Sequence, residues 1–279
     1  MKPAMMEYYA PTGLDDAASL LAEAAEDGGK VIAGGQSLIP MMNFRLVRPP
    51  VLIDLGGVAE LTSVQMSDSH LSLGAMVTTA TVASSDQVRR SWPLLAHAAT
   101  WVGHDQIRNR GTVGGSVVHA DPSAEMPAVM LLANARLEVR SATASRTLEA
   151  ADFFWGFMST SLEEDEILVR LSLEIPPPGT RWGFCEFAQR HGDFAEAGAA
   201  CLLPPGGRPR VVAFGAADRP FRATQAESVL ADGPAVDAER LRRAVSDDAE
   251  QAGVADRAKI RLLSTMVRRA VAMAGDQQV

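Results

Sequence analysis

Two short segments pair glycines in a way that has chemical consequences: Ala33-Gly34-Gly35-Gln36-Ser37 and Thr112-Val113-Gly114-Gly115-Ser116. A residue without a Cβ lets the backbone approach a ligand closely and reach positive φ. A helix start just beyond it offers unbonded N–H groups and the positive end of the helix dipole. Strand, glycine pair and helix start together make a recipe for holding a diphosphate. The chain contains the recipe twice, and two such turns converging on one anion would account for both. Each segment alone also reads as a tight turn, although the density of Gly103, Gly111, Gly114 and Gly115 makes pure turn chemistry less attractive.

The elements that must position these segments are legible from periodicity. Asp15 to Asp27 carries Ala17, Ala18, Leu20, Leu21 and Ala24 at helical spacing, with Asp15 and Asp16 in the first turn and Gly28-Gly29 as the stop. Val31-Ile32-Ala33 is a short buried strand, Ser37 can cap a helix through Met41-Met42, and Val51 to Leu55 is a further strand. Leu61 to Gln65 and Leu71 to Leu73 alternate like a hairpin. Pro93 to Val102 reads as a helix. After the second glycine segment, Asp121-Pro122 is expected to open a helix running to about Leu132, with Pro at the first helical position. Leu137 to Arg140 and Ile167 to Ile175 read as strands. Pro176-Pro177-Pro178-Gly179 is the clearest punctuation and is taken as a domain boundary. Beyond it, Trp182 to Phe187, Ala197 to Leu203 and Val211 to Phe214 suggest an antiparallel meander, followed by helices over about Asp237 to Ala249 and Asp256 to Ala274.

Composition removes several function classes. The 279 residues carry 34 acidic and 26 basic side chains, a net charge of −8, which argues against nucleic acid as a main partner because phosphate backbones need a basic footprint. Two cysteines, Cys185 and Cys201, cannot supply the four ligands of an iron–sulfur cluster, so such a cluster would have to sit on another chain. There is no G-x-G-x-x-G, P-loop, H-E-x-x-H, C-x-x-C or G-x-S-x-G pattern, and the five histidines are scattered, so no metal site or hydrolytic nucleophile is written locally. No stretch approaches the roughly 18 apolar residues of a membrane span. Residues 1–10 lack a basic region followed by an apolar run, and a cytoplasmic location is expected.

The residues around both glycine pairs resemble a known family. Ala33-Gly34-Gly35-Gln36-Ser37-Leu38-Ile39-Pro40-Met41-Met42 with Arg45-Leu46 and Ile53-Asp54 is similar to the medium, FAD-binding subunit of the carbon monoxide dehydrogenase and xanthine oxidase group of molybdenum hydroxylases. So is Ile107-Arg108-Asn109-Arg110-Gly111-Thr112-Val113-Gly114-Gly115-Ser116 with His119-Ala120-Asp121-Pro122 and Pro127. The resemblance spans essentially the whole chain. It implies an α+β fold, with an FAD-binding domain over 1–176 and a C-terminal antiparallel sheet with helices over 177–279. The FAD-binding domain would consist of two αβ subdomains of the vanillyl-alcohol-oxidase (PCMH) type, about 1–55 and 56–176.

The resemblance also implies a site. Val31, Ile32, Ala33, Gly34, Gly35, Gln36, Ser37 and Leu38 match the first pyrophosphate-binding segment, and Thr112, Val113, Gly114, Gly115 and Ser116 the second. Glu125 matches an acidic position that contacts the cofactor, Leu168 an apolar residue beside the flavin, and Asp193 an acidic position near the isoalloxazine ring. No catalytic acid or base and no metal ligand is implied on this chain. A molybdopterin cofactor would lie on a large subunit and [2Fe–2S] clusters on a small one, in a dimer of heterotrimers.

One position departs from the xanthine-type pattern. Glu186 stands where that pattern has a Lys three residues before Gln189-Arg190, and is expected to point to solvent or pair with Arg190 unless it faces the flavin. Arg108 and Arg110 read equally as phosphate clamps, partner contacts or surface arginines with a local carboxylate. His119 reads as a flavin contact or a satisfied loop histidine. Arg257, Arg261, Arg268 and Arg269 read as a solvated face or a docking surface. A second enzyme reading is a stand-alone flavin reductase of the UDP-N-acetylenolpyruvoylglucosamine reductase type, and a third is a scaffold subunit without flavin.

Overall fold

In the computed structural model, which describes residues 2–233 and 237–277, the chain begins with a small parallel sheet. Strand β1 (Glu7–Tyr9) is followed by helix α1 (Leu14–Ala24), β2 (Lys30–Ile32), α2 (Leu38–Asn43) and β3 (Val51–Asp54). The order is β1-β3-β2, with β3 parallel to both neighbours. Helix α1 buries Leu14, Ala17, Ala18 and Leu21 against Ile53 and Leu55. It ends earlier than its pattern suggests. Gly29 N–H returns to the Ala24 carbonyl at 2.8 Å, and Gly28 turns the chain at φ +82°.

The central part is a five-stranded antiparallel sheet covered by helices. Its elements are β4 (Val64–Met66), β5 (His70–Gly74), α3 (Thr79–Ser84), α4 (Asp86–Ser91), α5 (Pro93–Trp101), α6 (Asp105–Arg108), α7 (Val113–His119), α8 (Glu125–Ala133), β6 (Arg136–Arg140), β7 (Ser145–Glu149), α9 (Ala150–Phe153), β8 (Phe154–Gly156), β9 (Ser159–Thr160) and β10 (Ile167–Glu174). The strand order is β4-β5-β10-β6-β7, with β8 and β9 forming a separate hairpin. The expected first hairpin strand is shifted, because Leu61 lies in a 3₁₀ turn (Ala59–Thr62) that buries it. The expected helix at Pro122 does not start there. The Asp121 carboxylate instead accepts the Ser123 N–H at 2.8 Å in a local turn, and α8 opens at Glu125.

The C-terminal part is a meander, β11 (Arg181–Phe187), β12 (Ala197–Leu203), β13 (Arg210–Phe214) and β14 (Phe221–Arg222), followed by α10 (Thr224–Ala231), α11 (Ala238–Gln251) and α12 (Arg257–Asp276). Alternation along β11 sends residues to opposite faces. Gly183 lies against α12, where a Cβ would sit 1.8 Å from the Ala270 carbonyl oxygen. Phe184 joins the central core instead. Ala200, Leu202, Val212 and Phe214 join it too, while Ala199, Cys201, Val211 and Ala213 pack with Leu263, Met266 and Val267 of α12. The sheet is therefore buried on both faces, which explains the unbroken apolar run Ala197–Leu203. Arg257, Arg261, Arg268 and Arg269 are exposed on the outer side of α12.

Candidate functional site: two glycine segments at one cradle

The two glycine segments, almost eighty residues apart in sequence, meet. A Cβ added to Gly34 would lie 2.0 Å from the Arg110 carbonyl oxygen and 2.8 Å from Gly111 Cα. A Cβ on Gly111 would lie 3.8 Å from Gln36 Cγ, and one on Gly115 would lie 3.5 Å from Ala33 Cβ. Parallel strand β2 delivers the first segment, and Gly35 turns it at φ +71° between the side chains of Ile32 and Ile39. Val31 and Ile32 are partly buried in β2, and Leu38 opens α2. The second segment is fixed from behind. Thr78 and Thr112 form an antiparallel bridge, and Thr79 N–H donates to the Gly111 carbonyl at 2.9 Å. The stretch 75–79 carries no motif of its own and escapes sequence reading.

The two segments differ in what they offer. Among the described residues, the N–H groups of Gly34, Gly35, Gln36, Ser37 and Leu38 donate to no protein acceptor. Internal bonding resumes with Ile39 N–H to Gly35 at 3.1 Å and Met41 N–H to Ser37 at 3.2 Å. The Ser37 side chain makes no capping bond, contrary to expectation, and the Gln36 amide folds back onto the Gly34 carbonyl at 3.0 Å. The second segment is bonded from Val113 onward. Val113 N–H donates to Val77 O, Gly114 N–H to Ala75 O, and Ser116 N–H to Thr112 O, each at 3.0 Å, while Gly115 N–H donates to Thr112 Oγ1 at 3.0 Å. The expectation of free donors at both segments is thus corrected. The first segment carries the row of donors and the second forms a close-packed wall. Gly114 is glycine for packing, because a Cβ there would lie 2.6 Å from Ala75.

The other expected residues lie one element away. Leu168 is buried in β10, beside a bulge and on the strand that packs against α7. Asp193 is exposed in the loop after β11, a loop that folds onto the 101–104 segment: a Cβ on Gly192 would be 2.8 Å from His104 and 2.9 Å from the Gly103 carbonyl oxygen. Glu125 is buried at the first position of α8, and burial, with the Asp121 charge adding to it, pushes its carboxyl up to about 7. Glu186 neither points to solvent nor pairs with Arg190. It is 8% exposed, its Oε2 has no hydrogen-bond partner, and burial followed by the Glu125 charge pushes its carboxyl up to about 8. His119 closes α7 half-buried, with its imidazole lowered by burial. Arg108 is structural: it donates to the carbonyls of Thr100, Val102 and Gly103 at 3.2, 3.0 and 2.7 Å and pairs with Asp105. Arg110 is exposed.

A run of five unbonded N–H groups beside a wall with no room for a Cβ suits a diphosphate, which needs close, convergent donors and no particular cation. The residues present therefore fit the pyrophosphate of a dinucleotide. The family described as FAD binding domain in molybdopterin dehydrogenase matches residues 4–178. This chain belongs to that family. Nicotine 6-hydroxylase medium subunit of Paenarthrobacter nicotinovorans is 38% identical, with 99% of each chain covered. Caffeine dehydrogenase subunit beta of Pseudomonas sp. (strain CBB1) is 35% identical, covering 100% of this chain and 98% of the relative. Among solved structures, a chain of the carbon monoxide dehydrogenase from Hydrogenophaga pseudoflava superposes with a TM-score of 0.91 at 34% identity over 99% of both. The chain is thus an FAD-binding medium subunit of the molybdenum hydroxylase family, an oxidoreductase subunit of α+β fold. In this family setting the stand-alone reductase reading is not favoured. No helix among the described residues is long and apolar enough to cross a membrane.

Proposed function

We propose that the chain is the electron-transfer subunit of a heteromeric molybdenum hydroxylase. Electrons released at a molybdopterin-bearing large subunit would reach it through [2Fe–2S] clusters on a small subunit and leave to an external acceptor, within a dimer of heterotrimers in the cytoplasm. The observation that carries this reading is the meeting of the 33–38 and 112–116 segments around a row of free N–H groups. When bound, the isoalloxazine ring supplies the redox chemistry, passing electrons singly or in pairs. The chain's tasks are binding, orientation and tuning. Val31 through Leu38 would hold the pyrophosphate, with Gly34 to Leu38 donating. Thr112 to Ser116 would close the other side. Glu125, Leu168 and Asp193 are assigned to the remainder of the cofactor. Residues 1–176, in two subdomains divided near 55, would form the FAD-binding domain, and 177–279 the C-terminal domain.

Purification of the chain with its flavin tests the cradle. Gly115→Val, whose Cβ would lie 2.8 Å from Thr112 Oγ1, is expected to yield colourless protein. A fully yellow variant would remove the second segment from the site. Anaerobic mixing with the reduced partner subunits tests the electron path, since bleaching of the flavin absorbance is expected only when the iron–sulfur subunit is present.

A further inference from the structure

Burying a carboxyl without a hydrogen-bond partner is costly, and burying two near one another is more so. Glu125 and Glu186 are both less than a tenth exposed, and Glu186 Oε2 is bonded to nothing. They come from opposite sides of the seam between the central helices and the C-terminal sheet. Glu125 opens α8, and Glu186 stands on β11 with the face parity of Phe184, which packs into the central core. Glu186 is registered opposite Gly198 on β12, where a Cβ would meet the Phe214 ring at 2.1 Å. The Gly215 N–H, donating to the Pro122 carbonyl at 2.8 Å, ties the end of β13 to the loop before α8.

The charges that reach this pair are acidic. Asp121 acts on Glu125, and Glu125 acts on Glu186. From α5, His97 faces Trp182 and Phe184, and burial lowers its imidazole. His119 of α7, beside Asp121, is also lowered. Across β11, Arg269 of α12 interacts with Cys185, on the other face of the sheet. Glu196, after the β11–β12 loop, is engaged by Gln189.

Both carboxyls are joined along the chain to segments that neighbour the cradle. The loop 120–124 joins the glycine helix α7 to Glu125, and β11 ends one residue after Glu186 in the loop that covers Gly103 and His104. We propose that Glu125 and Glu186 form a proton store: the pair keeps one proton in the oxidised protein, at Glu186, and takes a second from solvent when negative charge arrives on the bound FAD. The inference rests on the FAD-subunit reading above. Its balance is simple. The electrons come from the iron–sulfur donor, one O–H bond forms at the remaining carboxylate, the proton comes from water, and reoxidation returns it. No carboxyl is oxidised or reduced.

The test measures the FAD midpoint potential of the holoprotein against pH for wild type, Glu186→Gln and Glu125→Gln. One extra proton per electron pair makes the equilibrium tenfold more pH-sensitive per unit, about 30 mV of added slope at two electrons. Wild type is expected to show that added slope above about pH 7, Glu125→Gln to lose it, and Glu186→Gln, which mimics the carboxyl already protonated, to keep it. Identical slopes in all three would overturn the proposal. Reduced-minus-oxidised infrared spectra should contain a protonated-carboxyl band that vanishes in Glu125→Gln; its persistence there would also overturn it. The chain stripped of flavin gives an independent arm. Both carboxyls are raised above their unfolded value, so the folded state binds more protons and stability falls as pH rises from about 4.5 to about 8. Glu186→Gln should flatten that fall, and parallel curves would sink the pair. Wild-type protein that never retains FAD would instead count against the FAD-subunit reading, leaving this arm to decide the pair.

Discussion

Gly34 is where the cradle has least room. Its missing Cβ is replaced by the Arg110 carbonyl oxygen, a backbone atom that cannot rotate away. Gly34→Ala must push the two segments apart, and it is expected to abolish FAD retention while the rest of the chain folds. The flavin-to-protein absorbance ratio of purified protein checks this, and a ratio equal to wild type would contradict the cradle. Gly275→Ala is the control, since nothing lies within 4 Å of its Cβ and Ala in α12 should add about 0.5–1 kcal/mol of stability. The glycine pairs were legible because their chemistry is local. Their division of labour was not, because whether an N–H is free depends on distant acceptors such as Val77 and Ala75. Glu186 shows the same limit: in sequence it is an acidic residue beside an Arg, and only the sheet on which it stands makes it buried.

At the scale of elements, α7 depends on Thr112. Its hydroxyl accepts from Gly115 N–H at 3.0 Å, and the residue is 4% exposed. Thr112→Val keeps the shape and removes the acceptor, leaving a partly buried donor unpaired. A loss of about 1–2 kcal/mol is expected, with Thr112→Ser retaining most of the stability. Urea midpoints of the three proteins measure it, and a Val variant as stable as the Ser variant would contradict the cap. A glycine pair costs a helix interior about 1 kcal/mol per residue, which is why the segment reads as a turn and its helix start was placed near Pro122. Packing against Ala75 overrides that propensity. The long elements α11, α12, β10 and β12 were readable within a few residues, since their apolar periods are strong. Strand β7 was not, because Ser145–Glu149 is a mostly exposed edge strand without alternation, and α10 buries only three residues of its eight.

At the scale of the whole molecule, the proline run at 176–178 separates two sheets, yet the central core crosses it, while a second cluster lies wholly beyond it. Phe184 and Phe214 stack at 5.9 Å inside the cluster that includes Met126, Val129 and Leu132 of α8. Polar ties follow the same seam: Arg219 donates to the Phe154 carbonyl at 2.9 Å, and Arg222 to Asn134 Oδ1 at 3.1 Å. Sequence punctuation reports where the chain turns, but burial across the turn is set by side chains far apart in the chain. A shared core couples the unfolding of its halves. Phe184→Ala leaves a cavity under α5 and α8, and a loss of about 3–5 kcal/mol is expected. The loss should appear in one transition. Denaturation followed by Trp92, buried in the central part, and by a probe attached to Cys185 in the C-terminal sheet should give coincident midpoints in both wild type and variant. If the C-terminal sheet melted first while the Trp92 signal stayed native, the seam would be a contact between independent domains. The carboxyl pair within it would then respond to domain separation rather than to the charge on the cofactor.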